Sequence, residues 1–169
     1  MTPAEIEFQT MLKRAVATDV DLVVAFETEV MNEKLYGKPL DHAAATSEIE
    51  TNAYYLHLSE GRVVATGALR RREDGSAYLS NIAVHPSVRR TGLARAMLNH
   101  LLSLSDGATP IHLAVHPENQ AACALYLSQG FTPTHIHENF FGDGEPRIVM
   151  HYVRGIKAPT GRRASMYMG

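Results

Sequence analysis

One stretch of the sequence combines an apolar run with a loop whose composition suits an anion. The run over 81–84 ends in His85-Pro86, and a loop follows with the sequence Arg89-Arg90-Thr91-Gly92-Leu93-Ala94-Arg95. From Leu93 onward, apolar residues recur at the spacing of one helix face. Small residues at Gly92 and Ala94 let backbone N–H groups approach a ligand, and the start of a helix adds partial positive charge. The stretch therefore predicts an anion site suited to a pyrophosphate.

A second stretch places an asparagine and a tyrosine on one face of a predicted helix. The helix is expected over Asn119–Gln129, and Gly130 is well suited to end it. Asn119 and Tyr126 are separated by two helical turns, so their side chains share a face. Ala122 lies on the same face and leaves room for a ligand.

In this order and spacing, the two stretches resemble the GNAT superfamily of acyl-CoA-dependent N-acyltransferases. The loop is similar to the family's pyrophosphate loop, Arg/Gln-x-x-Gly-x-Gly/Ala. The second stretch is similar to its fourth helix and the following turn, on the residues Asn119, Ala122, Leu125-Tyr126 and Gly130-Phe131. The resemblance implies an N-acetyltransferase that moves an acetyl group from acetyl-CoA (CoA) to a primary amine, by direct attack in a ternary complex.

The resemblance also implies roles for individual residues. The loop would hold the pyrophosphate, and backbone groups of the fourth strand would hold pantetheine where the fourth and fifth strands splay apart. Tyr126 occupies the general-acid position, because a phenol with a pKa near ~10 can protonate a leaving thiolate. Asn119 either contacts the cosubstrate or caps its helix, and the sequence favours neither. The residues expected on the fourth strand are Ile82, Ala83 and Val84.

The general base is not evident from the sequence. Many members of the superfamily have a glutamate on the fourth strand where this chain has Tyr78, and an ordinary phenol is a poor base at neutral pH. His116, just after the fifth strand, is the best replacement because the usual pKa of histidine is near ~6.5. Glu118 is a weaker candidate. The alternative is that a water chain removes the proton and that His116 is an ordinary turn residue beside Pro117.

In the resembled family, the first two helices and the loop between the last two strands form the acceptor pocket. Acidic and aromatic side chains there favour a cationic amine, either a small molecule or a peptide N-terminus, although helix carboxylates more often form a solvated face. The loop is loosely similar to that of protein N-terminal acetyltransferases but lacks their two tyrosines. The alternative is a non-catalytic acyl-CoA-binding or sensor domain, which the presence of Tyr126 opposes. The residues concerned are Glu27, Glu29, Met31, Glu33, Tyr36 and those of 138–145.

Composition restricts the other partners. The chain has 169 residues and a formal net charge of −2, which gives no electrostatic case for nucleic acid or membrane binding. Its one cysteine, Cys123, is compatible with a reducing cytoplasm, where we expect the protein. No metal is expected, because the histidine pairs lack ligand-spaced partners. A homodimer is left open. The pairs are His135 with His137 and His112 with His116.

The elements that must position these residues follow the order βααβββαβαββ. This order predicts an α/β (α+β) fold, with a GNAT-like mixed central β-sheet of about seven strands flanked by about four helices. We expect one domain over 1–157 and a loose C-terminal tail over 158–169. Asp19 is expected to cap the first helix. The strands are expected over 12–16, 53–59, 62–72, 76–84, 111–115, 131–137 and 148–154.

Overall fold

The computed structural model describes residues 1–155, and these form a seven-stranded sheet with flanking helices. The strand order is β1-β2-β3-β4-β5-β7-β6, in which β4 and β5 run parallel. The predicted mixed sheet is therefore confirmed. The strands are β1 Leu12–Arg14, β2 Ala53–Ser59, β3 Arg62–Arg71, β4 Ala77–Val84, β5 Ile111–Val115, β6 Thr132–His137 and β7 Arg147–Tyr152. The helices are α1 Pro3–Met11, α2 Val20–Val30, α3 Glu33–Tyr36, α4 His42–Thr51, α5 Leu93–Ser103 and α6 Gln120–Ser128.

The chain divides into two compact units, and the first comprises Met1–Met31, Pro39–Arg71 and Leu79–Leu104. It contains β1 to β3, most of β4, and helices α1, α2, α4 and α5. Its antiparallel ladders pair β1 with β2 and β2 with β3. A buried apolar cluster joins α2 and α4 to these strands, through Ala15, Val20, Val23, Ala45, Ile49, Tyr54, Leu56 and Ala68.

Helix α5 packs closely against β3 because Gly67 has no side chain. A Cβ atom at this position would lie 2.5 Å from Cγ and 2.8 Å from Sδ of Met97, which is fully buried. We expect Gly67→Ala to lower the free energy of unfolding by about 1–3 kcal/mol, as overpacked cores do. Urea denaturation would measure the change. In a Met97→Ala background the same substitution should cost much less, and an equal cost in both backgrounds would contradict the steric explanation.

The second unit comprises Asn32–Lys38, Arg72–Tyr78 and residues from Ser105 onward. Strand β5 pairs in parallel with the first residues of β4 and antiparallel with β7, with Leu113 opposite Met150. Strand β6 completes this part on the other side of β7. Helix α6 ends before Gly130, whose φ of 100° suits the predicted C-terminal position.

Two helices of the structure were not predicted from the sequence. Helix α1 has a capping box in which Thr2 and Glu5 bond each other's backbone N–H groups, with Pro3 at its first turn. Helix α3 has only four residues and is capped by Asn32. The first is a local signal that the sequence displays, whereas the second is too short to show periodicity.

Asp19 differs from its predicted role. It stands at the N-cap position of α2, but its side chain makes no capping bond to that helix. Its carboxylate instead accepts from the Val16 backbone N–H at 2.8 Å and from Lys13 Nζ at 2.7 Å. Strand β1 accordingly ends at Arg14, two residues earlier than expected.

Within the described part of the chain, no helix has the length and apolarity needed to cross a membrane. The predicted tail over 158–169 lies outside the described residues, and the single domain over 1–157 stays a prediction.

Candidate active site

The loop predicted to hold a pyrophosphate leads into the first turn of α5. Gly92 precedes that helix with φ of 84°, and Arg90 also has a positive φ, of 62°. This left-handed backbone turns the chain sharply, so that helix α5 can begin at Leu93. The first N–H groups of a helix have no intrahelical partner, and they carry the positive end of the helix dipole. The local geometry is therefore that of an anion site.

The arginines of the loop differ in their contacts. Arg89 Nε donates to the Val84 carbonyl at 3.3 Å, which ties the loop to the end of β4. The Thr91 hydroxyl donates to the Val88 carbonyl at 2.7 Å. Arg90 and Arg95 are exposed, and their guanidinium groups are accessible for charge-assisted bonds to a phosphate.

The loop borders a groove that the sequence did not predict. The groove has a volume of about 590 Å³ and runs between α1 and α5. Its walls include Thr91, Gly92 and Arg95 on one side and Glu5 and Phe8 on the other. Helix α1 thus forms part of the surroundings of the candidate anion site.

The strand predicted to bind pantetheine precedes the loop. Ala83 is buried, whereas Ile82 and Val84 are half-buried. The Val84 carbonyl already accepts a bond from Arg89, and its second lone pair can still accept from pantetheine. The roles of these three residues stay predictions.

Tyr126 and Asn119 lie on α6 in the second unit. The Tyr126 ring is 7 % exposed and packs edge-on against Phe131, with 5.6 Å between ring centroids. Burial raises the pKa of the Tyr126 phenol well above its usual value, so the group carries its proton at any ordinary pH. Asn119 caps the helix, accepting from the Ala122 N–H at 3.3 Å. The structure therefore shows the capping role of Asn119, while its contact with the cosubstrate stays a prediction.

His116 does not have the geometry expected of a general base. It is 2 % exposed, and its Nδ1 accepts from the Glu118 backbone N–H at 3.0 Å. The ring proton is therefore on Nε2, which is directed at Glu145 Oε2 at 2.7 Å. The only lone pair of the ring is occupied, so a structural turn histidine describes the contacts better than a base. The role of His116 in removing the proton stays a prediction, and these contacts weigh against it.

The other residues considered for proton removal are placed as follows. The guanidinium carbon of Arg72 lies over the Tyr78 ring, 5.0 Å from the centroid of that ring. Glu118 is exposed and pairs with Lys34 Nζ at 2.6 Å. Cys123 is buried, as expected, and its sulfur lies 3.7 Å from the His116 carbonyl.

The environment of Glu27 differs most from what the sequence predicts. The sequence predicts Glu27 in the acceptor pocket or on a solvated helix face, but the residue is 3 % exposed. Its carboxylate lies 3.5 Å from Asn81 Nδ2 and 3.4 Å from the Leu40 backbone nitrogen. A buried carboxyl among neutral donors is a candidate for proton transfer.

A buried arginine connects α3 to the loop between β6 and β7. Arg147 is 1 % exposed, and its Nη2 donates to Asp143 at 2.9 Å and to the Lys34 carbonyl at 3.4 Å. The Arg147 guanidinium also lies 5.0 Å from the ring centroid of Phe141. Arg147 thus contacts both segments from which the sequence predicts the acceptor pocket, and no local signal in the sequence indicates this role.

Among residues 1–155, no three His, Cys, Asp or Glu side chains are grouped so that they could hold a metal ion.

Several known proteins are similar to this chain in sequence and in structure. The model of the acetyltransferase (GNAT) family matches residues 23–131. The ribosomal protein bS18-alanine N-acetyltransferase of Escherichia coli K12 is 32% identical over 135 residues, covering 77% of this chain and 89% of that protein. The L-2,4-diaminobutyric acid acetyltransferase of Vibrio cholerae is 31% identical over 123 residues, covering 63% of this chain and 71% of that protein.

The fold similarity extends over most of the chain. The crystal structure of the ribosomal-protein-S18-alanine N-acetyltransferase from Escherichia coli superposes with a TM-score of 0.71 and 26% identity. The superposition covers 89% of this chain and 97% of that one. The chain therefore belongs to the acetyltransferase (GNAT) family and is an acyl-CoA-dependent N-acyltransferase, as its two sequence motifs predicted.

Proposed function

We propose that the chain acetylates the N-terminal amine of a protein or peptide, with acetyl-CoA as the acyl donor. The observation that carries this proposal is the similarity to a ribosomal-protein-alanine N-acetyltransferase along 89% of that protein's length. The amine attacks the thioester directly, and no covalent acyl-enzyme is needed.

In this proposal the Arg89–Arg95 loop binds the pyrophosphate, and the backbone of Ile82–Val84 binds pantetheine. Gly92 supports the first role because its left-handed conformation exposes the N–H groups that open α5. Tyr126 protonates the leaving thiolate. Burial favours the protonated phenol, and a thiolate in a buried site is equally disfavoured, so proton transfer between them remains feasible.

Pairing of the acidic groups favours a singly charged acceptor over a polyamine. In the second unit, Asp143 bonds to Arg147 and Glu145 to His116. Two of the carboxylates that the sequence offered to a cationic amine are thus engaged with partners in the chain. A single ammonium, as at a peptide N-terminus, requires fewer free carboxylates.

A small amino acid with a side-chain amine is a second candidate acceptor. It is favoured by the similarity to the diaminobutyric acid acetyltransferase, which covers 71% of that protein. This acceptor also carries a carboxylate, so it would need a cation near the pocket. Lys34, on α3, lies in that predicted region, but it would have to exchange its partner Glu118, 2.6 Å away, to bind the carboxylate.

An acceptor panel tests the proposal. We expect thiol release from acetyl-CoA with peptides that begin with alanine, together with mass gain at the α-amine. The matched control is the same peptide with its N-terminus already blocked, which should give no release. Preferential release with L-2,4-diaminobutyric acid would favour the second candidate. Cosubstrate binding without release across peptides, amino acids, polyamines and aminoglycosides would favour the non-catalytic alternative.

A further inference from the structure

A buried polar cluster in the first unit surrounds the carboxyl of Glu27. Asn81 Nδ2 lies 2.8 Å from Thr66 Oγ1, 3.2 Å from the Tyr54 hydroxyl and 3.5 Å from Glu27 Oε1. An amide nitrogen has two hydrogens, so it cannot satisfy three acceptors at once. The carboxylate is the most distant of the three, and its Oε1 therefore has the weakest bond to Asn81.

No cation compensates Glu27 among the described residues. The ion pairs of this unit leave it out, and Glu48 on α4, the acidic group whose charge acts on Glu27, is bonded to Arg70 at 3.0 Å. Burial raises the pKa of Glu27 to about 7. The Glu48 charge acts in the same direction, while the Leu40 N–H and the Tyr54 hydroxyl oppose it. The carboxyl can therefore gain or lose a proton near neutral pH.

The cluster adjoins the strand predicted to carry the acyl donor. Asn81 immediately precedes Ile82, the first of the three residues expected to bind pantetheine. The Leu40 N–H that bonds Glu27 at 3.4 Å belongs to the connection that leads into α4. A titrating carboxyl is thus connected both to β4 and to the segment between the helices of the predicted acceptor pocket.

We propose that Glu27 accepts the proton that the acceptor ammonium must lose, an inference that rests on the acetyl transfer proposed above. A positive N–H donor would bond Oε1 better than the distant amide of Asn81 does. Glu27 would then supply, from a helix, the function for which the sequence offers no carboxylate on β4.

The proton transfers balance as follows. One N–H bond of the ammonium breaks, an O–H bond forms on Glu27, and the freed electron pair attacks the acetyl carbonyl carbon. The C–S bond breaks, and the thiolate takes the Tyr126 phenol proton. The nitrogen then loses its second proton to the Tyr126 phenolate, which restores the phenol. Glu27 releases its proton to solvent after the products leave, so one proton is released per transfer.

Glu27→Gln tests the proposal, because glutamine keeps the shape but cannot accept a proton at neutral pH. In the wild type, we expect kcat to fall on the acidic side of an inflection at or below about pH 7, because the bound ammonium stabilises the ionised carboxyl. In Glu27→Gln, kcat should drop by about 10²–10⁴-fold at neutral pH and that inflection should disappear. The kcat profile at saturating acceptor is preferred, since kcat/KM also reports the free amine.

Glu50→Gln is the matched control, because it removes an exposed carboxylate from α4 and should leave the profile unchanged. Calorimetry should find the same CoA affinity in Glu27→Gln and the wild type. An active wild type whose profile and kcat are unaffected by Glu27→Gln would overturn the role of Glu27 alone. A wild type that releases no thiol with any acceptor would overturn the proposed function and this inference together.

Carboxyl ¹³C NMR of the wild-type protein provides a second test that needs no folded variant. We expect one glutamate carboxyl to titrate near pH 7. Titration of every glutamate carboxyl in the usual range near ~4.3 would contradict the proposal.

Discussion

Replacing Tyr126 with phenylalanine should lower kcat by about 10²–10⁴-fold, the usual contribution of general acid catalysis. The substitution removes the hydroxyl and retains the ring, which packs against Phe131 at a centroid distance of 5.6 Å. Packing should therefore be preserved, and CoA affinity should be unchanged by calorimetry. Since burial raises the pKa of this phenol, the wild-type group should remain a proton donor across the assay range.

Tyr152→Phe is the matched control for the loss of a hydroxyl. The Tyr152 ring also contacts Phe131, with 5.3 Å between centroids, and we assign it no chemical role. The Tyr152→Phe substitution should leave kcat almost unchanged. Pre-steady-state measurement of thiol release must first establish that chemistry limits turnover. If Tyr126→Phe then turns over at the wild-type rate, Tyr126 is a packing residue and another group protonates the thiolate.

The sequence predicted the fold well because the relevant signals are local. Gly130 indicated the end of α6, where its φ is 100°. The loop around Gly92 was similarly evident, because the glycine and the helix that follows it are adjacent in sequence. The Thr2–Glu5 capping box was equally local, and α1 could have been predicted from it.

The chemistry of the acidic residues could not be predicted in this way. A glutamate on an amphipathic helix usually faces solvent, and Glu27 is buried through a contact with Asn81, 54 positions along the chain. His116 is likewise occupied by Glu145, 29 positions away. Whether a side chain is buried, and which partner it meets, depends on such distant contacts. Periodicity and spacing contain no information about them.

Gly92→Val should weaken CoA binding by about tenfold or more. The wild-type φ of 84° lies in the left-handed region, which costs an L-residue roughly 1–2 kcal/mol and a β-branched one more. No protein atom would lie within 4 Å of the added Cβ, so the substitution is not expected to disrupt the core. Its effect is on the loop, which must either keep a strained turn or redirect the N–H groups that open α5. A loss of about 1.4 kcal/mol in binding corresponds to tenfold in Kd.

Gly61→Val separates backbone strain from loss of the anion site. Gly61 lies in the turn between β2 and β3 with φ of 75°, and its added Cβ would also meet no atom within 4 Å. Both variants should show a similar loss of stability on denaturation, because both force a valine into a left-handed conformation. Only Gly92→Val should lose CoA affinity by calorimetry. Equal affinities in the two variants would mean that the N–H groups after Gly92 do not bind the pyrophosphate, and the Arg89–Arg95 loop would lose its proposed role.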